Sequence, residues 1–155
     1  MKNHFEILKI TRNNILNAIK GMSLAELNTI TEGFNNNVIW NVGHIVATQQ
    51  LLCYKFSGLD MFLEADFIAK YMKGTFLNGE ATAEELDYIV KQLEVLSDKL
   101  ESDYAGGIFK SYNTYTTSYN ITLNNIEQAI QFNNVHEGLH LGYIMAMKKV
   151  IYKTA

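Results

Sequence analysis

Apolar residues recur at helical spacing through most of the chain. Between residues 4 and 20 they fall at Phe5, Leu8, Ile15, Leu16 and Ile19, the period of one face of an α-helix. Gly21 stands where such a helix ends. Ser23, three residues before Glu26, has capping-box spacing and predicts a short turn over 23–27. TEGFNNN then reads as a turn. A second helix is predicted over 38–56, capped by Asn36 or Asn37. Its apolar residues, from Val38, Ile39 and Trp40 to Tyr54 and Phe56, surround much of its circumference, so burial on more than one side is expected. Ser57 and Gly58 close it.

Residues 59–80 are less regular, with one short helix in DMFLEADFIAKYMKG and a loop from Gly74 to Gly79. Thr82-Ala83-Glu84-Glu85 is a capping-box start for a third helix. That helix carries a single stripe at Leu86, Ile89, Val90, Leu93, Leu96 and Leu100. From Asp103 to Ile121 the helical period is lost, and this Tyr-, Thr- and Gly-rich stretch reads either as a long crossover loop or as a short irregular hairpin. Thr122 or Asn120 is expected to open a fourth helix, which carries Ile126, Ile130, Val135, Leu139, Ile144 and Met147 and ends near Tyr152. Four long helices, two long connections and no convincing strand predict an all-α protein, a four-helix bundle with crossover connections forming a single domain over 1–155.

Composition narrows the function. The chain has 155 residues, 48% of them hydrophobic and 19% charged, ordinary for a globular domain. Its net charge of −3 offers no basic footprint, which argues against a nucleic-acid partner. Cys53 is the single cysteine, so no intrachain disulfide forms, consistent with a reducing compartment. The start lacks a secretory apolar run, and no stretch approaches the ~20 apolar residues of a membrane span. The expectation is a soluble, cytoplasmic protein. Proline is absent altogether, so long helices need not be kinked.

The candidate chemistry lies in three of the four histidines: His44 in WNVGHIVATQQLL, and His136 with His140 in NNVHEGLHLGYIM. Four residues apart on a helix, His136 and His140 share a face with Cβ atoms about 6 Å apart. Such a pair can chelate one transition metal, and a third imidazole from a facing helix would leave one coordination position open. Both histidine faces carry apolar neighbours and point inward, and three buried imidazoles are costly unless each finds a partner. A lone His44 would instead read as a core histidine, Cys53 as packing, His4 as exposed, and the six methionines as core filler. Glu84, Glu85 and Glu94 belong to a solvated face. Glu137 sits about 100° round its helix from His136 and is not expected to share the ion. Gly43, Gly138 and Gly142 beside the histidines suggest close approach of a backbone or ligand, since each mid-helix glycine costs about 1 kcal/mol. Asn41, Asn133 and Thr48 lie within a turn of the histidines and are candidates for orienting their rings.

NVIWNVGHIVATQQLL resembles the second-helix motif of the DinB-like superfamily, in which tryptophan precedes a Gly-His pair. NNVHEGLHLGYIM resembles its final motif, His-x-x-x-His followed by glycine and an aliphatic run. The resemblance covers essentially the whole chain. It implies a bundle of up-up-down-down type and a divalent metal on His44, His136 and His140. It further implies a homodimer and a transferase or isomerase using a low-molecular-weight thiol such as bacillithiol, mycothiol or glutathione on a small-molecule substrate. Imidazole suits zinc, nickel, iron and copper, and three nitrogens without a thiolate do not choose among them; zinc or nickel is the expectation. No carboxylate is placed as a general base. A metal-dependent hydrolase, and a non-catalytic metal-binding or dimerisation bundle, stay open as alternatives. If the metal reading holds, the three ligand nitrogens converge within about 3.5 Å of one another. The second and fourth helices are then neighbours with Gly43 or Gly138 near their contact, and the open side faces a cavity walled by Trp40, Tyr143 and the tyrosine-rich loop.

Overall fold

The computed structural model describes residues 1–77 and 79–154; Asn78, in the predicted loop, and Ala155 lie outside the described residues. Six α-helices dominate: α1 (Lys2–Ile19), α2 (Leu24–Asn28), α3 (Val38–Gln49), α4 (Ala65–Tyr71), α5 (Ala83–Ala105) and α6 (Ile126–Thr154). Ser23 and Glu26 form the expected capping box. Asn37 Oδ1 accepts from the Trp40 N–H at 2.8 Å to start α3. Thr82 accepts from the Glu85 N–H to start α5, but the Glu85 carboxylate does not return to close the box. It accepts instead from the Tyr71 hydroxyl at 2.8 Å and from Lys70 Nζ at 2.5 Å, fastening α4 to α5. Glu85 is therefore part of a clasp, while Glu84 and Glu94 are exposed as expected.

The predicted second helix has the right extent but not one winding. After α3 the chain turns as a π-helix over Gln50–Tyr54 and a 3₁₀ turn over Lys55–Ser57, and Gly58 ends it with φ 71°. The wider turn brings two consecutive glutamines inside. Gln49 Nε2 donates to the Leu96 carbonyl at 2.9 Å, and Gln50 Oε1 accepts from the Phe62 N–H at 2.8 Å.

Between α5 and α6 the chain forms the hairpin alternative. Strands β1 (Tyr115–Thr116) and β2 (Thr122–Leu123) pair antiparallel, Tyr115 opposite Leu123. Asn120, with φ 57°, and the Thr117 hydroxyl, which accepts from the N–H groups of Tyr119 and Ile121, shape its turn. The ladder uses Thr122, so α6 begins at Ile126 rather than at Thr122 or Asn120. Its cap is the Asn125 side chain, accepting from the Gln128 N–H at 2.9 Å.

Contacts between the long helices fix their directions. Phe5 meets Tyr104, Lys9 pairs with Asp98 and Glu101, and Arg12 reaches the Leu93 carbonyl, so α1 and α5 are antiparallel. Asn134 reaches the His4 carbonyl and Lys148 the Ala18 carbonyl, so α1 and α6 run parallel. Gln49 to Leu96 and Tyr54 to Asp103 make α3 and α5 parallel. His44 to His136 and Asn41 to His140 make α3 and α6 antiparallel. In chain order α1, α3, α5 and α6 run up, down, down, up, which corrects the up-up-down-down direction implied by resemblance. Around the bundle the order is α1, α5, α3, α6.

The apolar core falls into two clusters, one around Ile15, Ile39, Ile45, Leu93 and Ile144, the other around Leu8, Leu52, Leu100 and Ile130. Along the helices, buried polar residues come between them: Arg12, Gln49, Gln50, Asn133 and Glu137. Arg12 is 2% exposed and Glu137 fully buried. Arg12 Nε and Nη2 grip the Glu137 carboxylate at 3.0 and 2.8 Å, while Nη1 donates to the Leu93 carbonyl at 2.8 Å. Asn133 Nδ2 adds a bond to Glu137 at 2.7 Å. One bidentate pair thereby ties three helices. Removing either partner alone leaves a buried charge unanswered, which costs about 3–5 kcal/mol. Urea unfolding is expected to show that loss for Arg12→Met and for Glu137→Gln, with the double variant Arg12→Met/Glu137→Met losing less than the sum of the single changes.

Candidate metal centre

His44 projects from α3, and His136 and His140 from adjacent turns of α6. Because α3 and α6 are antiparallel neighbours, their imidazoles meet between the helices. His44 Nε2 and His140 Nε2 each lie 3.2 Å from His136 Nε2. The ligand atoms of all three lie within 4.8 Å of one another. Nitrogens bound at about 2.1 Å to a tetrahedral ion sit about 3.4 Å apart, close to the two 3.2 Å separations from His136, with the third pair held within 4.8 Å.

Groups around the rings fix which nitrogen faces the centre. His44 Nδ1–H donates to the Tyr71 carbonyl at 2.7 Å. His140 Nδ1–H donates to Asn41 Oδ1 at 2.8 Å. Asn41 Nδ2 in turn donates to the Asn37 carbonyl at 2.8 Å, which sets the orientation of the amide. With their hydrogens on Nδ1, His44 and His140 both aim Nε2 lone pairs at His136 Nε2. A single hydrogen on His136 Nε2 can serve only one of them. His136 Nδ1 is buried with no hydrogen-bond partner among the described residues. Placing its hydrogen there turns a third lone pair inward. The Thr48 hydroxyl can answer the His44 lone pair alone, whereas a divalent cation answers all three converging lone pairs at once, so this donor set fits a divalent metal.

Electrostatics keep the rings neutral. Burial, then the neighbouring imidazoles, push His136 down to about 2. Burial, then His44, push His140 down to about 3. Burial also lowers His44, opposed by its bond to Tyr71 and assisted by the Lys73 charge. Neutral imidazoles are the form that ligates.

Trp40, one turn before His44, stacks on it with ring centroids 4.5 Å apart and planes 9° from parallel. Gly43 explains how Tyr71 reaches His44. A Cβ at position 43 would lie 2.5 Å from the Tyr71 ring, so only glycine lets α4 come this close. The close approach at Gly43 is thus made by α4, not by α6. Gly138 and Gly142 meet nothing within 4 Å among the described residues, which removes the expectation of close contact there. Of the three candidate orienting residues, Asn41 orients His140. The Thr48 hydroxyl reaches His44 Nε2 at 3.3 Å, and Asn133 is engaged by Glu137.

The remaining candidates sort plainly. Cys53 is buried, and that burial pushes its thiol well above the ordinary range. His4 is partly buried at the start of α1, away from the cluster. Met22 and Met147 are in the core, whereas Met72 and Met145 are exposed rather than core filler. Sequence reasoning missed two features. The Tyr71 carbonyl is a backbone group with no residue signature. Glu137 was placed correctly off the metal face, but its partner Arg12 lies 125 positions away.

Two cavities flank the histidines. One of about 490 Å³ is lined by Trp40, Asn41, His140 and Tyr143 together with residues 33–36. The other, of about 250 Å³, is lined by Thr48, Leu51, Phe56, Tyr115 and Phe132 among others. His44, His136, Lys73, Ser118 and Tyr119 border both. Trp40, Tyr143 and the hairpin tyrosines Tyr115 and Tyr119 therefore stand in cavity walls. Tyr104 and Tyr112 instead bond Glu127 and the Leu52 carbonyl. Among the described residues, no Asp or Glu lines either cavity.

A family model described as the DinB superfamily matches residues 7–144. No curated protein matches the chain.

The depressed histidines set a pH dependence. Ordinary imidazoles, as in the unfolded chain, take protons below about 6.5, whereas the folded His136 and His140 refuse them until about 2 and 3. The unfolded state then binds more protons, so stability is full above pH 6.5 and falls as pH drops, by up to about 1.4 kcal/mol per pH unit for each ring. In the presence of a chelator, urea unfolding is expected to show about 2–3 kcal/mol less stability at pH 5.5 than at pH 7.5. The variant His136→Gln/His140→Gln is expected to lose most of that difference, and a flat profile for the parent chain contradicts the burial of neutral imidazoles.

Proposed function

The chain belongs to the DinB superfamily, and from that premise we propose that His44, His136 and His140 hold one divalent ion, zinc or nickel, at the centre of a thiol-dependent transferase acting on a small electrophile. The observation that carries this reading is the convergence of three Nε2 atoms between two cavities. A bound divalent ion with an open position supplies a Lewis-acid centre that lowers the pKa of a thiol or water, or polarises a carbonyl.

The chain's own residues perform the rest. The Tyr71 carbonyl and Asn41 hold two imidazoles in the ligating tautomer. Trp40 covers one face of His44 and keeps bulk water from it. The cavities on either side give room for two reactants, as a transfer between a thiol and a second molecule requires. The absence of carboxylates from both walls favours a thiol over water as nucleophile. A thiol ionises near pH 8.5 and needs only a nearby cation to become the reactive thiolate. Water is a far weaker acid, and helical metallohydrolases place a glutamate beside the metal as base.

Elemental analysis of untagged protein, after reconstitution with zinc, is expected to find about one equivalent per chain; less than about a tenth overturns the reading. Asn41→Ala is expected to weaken zinc affinity by about 10–100-fold, because it frees His140 to rotate. Conjugation of bacillithiol or glutathione to monochlorobimane is expected to fall to the uncatalysed rate in His136→Ala/His140→Ala. Turnover that survives in that variant rules out a metal-centred transferase.

A further inference from the structure

We propose that the smaller cavity is a binding site for an organic anion with an apolar body, and that Lys55 and Lys73 are its charge partners. Leu51, Phe56, Tyr115 and Phe132 give the cavity its apolar wall, with Phe56 and Tyr115 stacked at 4.3 Å between centroids. Among the described residues, Lys55 and Lys73 are the only lysines lining it, and no Asp or Glu does. In a chain with 16 acidic and 13 basic residues, an uncompensated cationic rim is a local inversion of the overall charge.

Four other lysines have Nζ partners, while Lys2, Lys20, Lys91, Lys110, Lys149 and Lys153, like the two at this cavity, have none among the described residues. Lys9, Lys70 and Lys99 each pair with a carboxylate, and Lys148 donates to the Ala18 carbonyl. Among the described residues, the Nζ atoms of Lys55 and Lys73 have neither an ion pair nor a hydrogen bond. They come from different elements, Lys55 from the 3₁₀ turn after the π-helical segment and Lys73 from the turn after α4. Two unpaired cations over low-dielectric walls concentrate a field that attracts negative charge. An apolar anion satisfies both halves of the site: its body covers the aromatic wall and its carboxylate or sulfonate meets the lysines. His44 and His136 border the same cavity, so such a molecule would sit beside the histidine centre. As a reactant the anion depends on the transferase reading; as a ligand it does not.

The test uses 4-phenylbutyrate and its neutral isostere 4-phenylbutyramide, titrated into the full chain and into Lys55→Gln/Lys73→Gln. Each titration is run as purified and after zinc loading, with metal content measured on the same samples. Both lysines are exposed and unpaired, so circular dichroism is expected to show the variant folded. The carboxylate is expected to bind at least about tenfold tighter than the amide to the parent chain, the gain of one good charge-assisted contact. In the variant the two probes are expected to bind alike. Equal affinities in the parent chain overturn the proposal, and so does discrimination that persists undiminished in the variant, which would place the carboxylate on the metal or the histidines. If zinc fails to bind but the lysine-dependent discrimination remains, the anion site stands and the metal reading alone falls.

Discussion

Three imidazole rings forced together with their lone pairs facing inward are the constraint on which the arrangement depends. Two of them have already committed a hydrogen elsewhere, His44 to Tyr71 and His140 to Asn41. The third, His136, lies 3.2 Å from both Nε2 atoms and has no partner for its other nitrogen among the described residues. Such an arrangement is held only if the helices that carry it are held. The buried Arg12–Glu137 pair provides that hold, one residue along α6 from His136, joining α6 to α1 and to the backbone of α5. Gly43 performs the corresponding task on α3, admitting the Tyr71 ring so that its carbonyl reaches His44.

Much of this was legible in the residues. The periodicity of Phe5 to Ile19, of Val38 to Phe56 and of Leu86 to Leu100 located three long helices, and the spacing of His136 and His140 put two rings on one face. Caps at Ser23, Asn37 and Thr82 marked starts correctly because capping is a local interaction within four residues. What was not legible depends on distant partners. Glu85 abandoned its capping role because Tyr71 and Lys70 offered better donors. The start of α6 moved to Ile126 because Thr122 found a strand partner in Thr116. The π-helical turn at Gln50–Tyr54 follows from buried amides seeking Leu96 and Phe62, which no local pattern encodes. Helix direction came only from the resemblance, since periodicity carries none, and pairings such as Asn134 with His4 correct it.

The same features give the site its chemical character. Burial keeps the rings neutral and therefore able to ligate, while the cavities on both sides keep the centre open to small molecules. Buried polar residues, Arg12, Gln49, Gln50, Asn133 and Glu137, separate the two apolar clusters along the helices, and His136 is the sequence neighbour of Glu137. Among the described residues no Asp or Glu lines either cavity, and Glu137, the sequence neighbour of His136, is held by Arg12.

Long-range proton–nitrogen NMR of the imidazoles during a zinc titration tests the central claim most directly. The expected starting spectrum shows His44 and His140 with hydrogen on Nδ1, as their bonds to Tyr71 and Asn41 require. One equivalent of zinc is then expected to shift the Nε2 resonances of His44, His136 and His140 together, leaving His4 unmoved. A spectrum in which zinc leaves any of those three Nε2 resonances in place, or acts first on His4, contradicts the account.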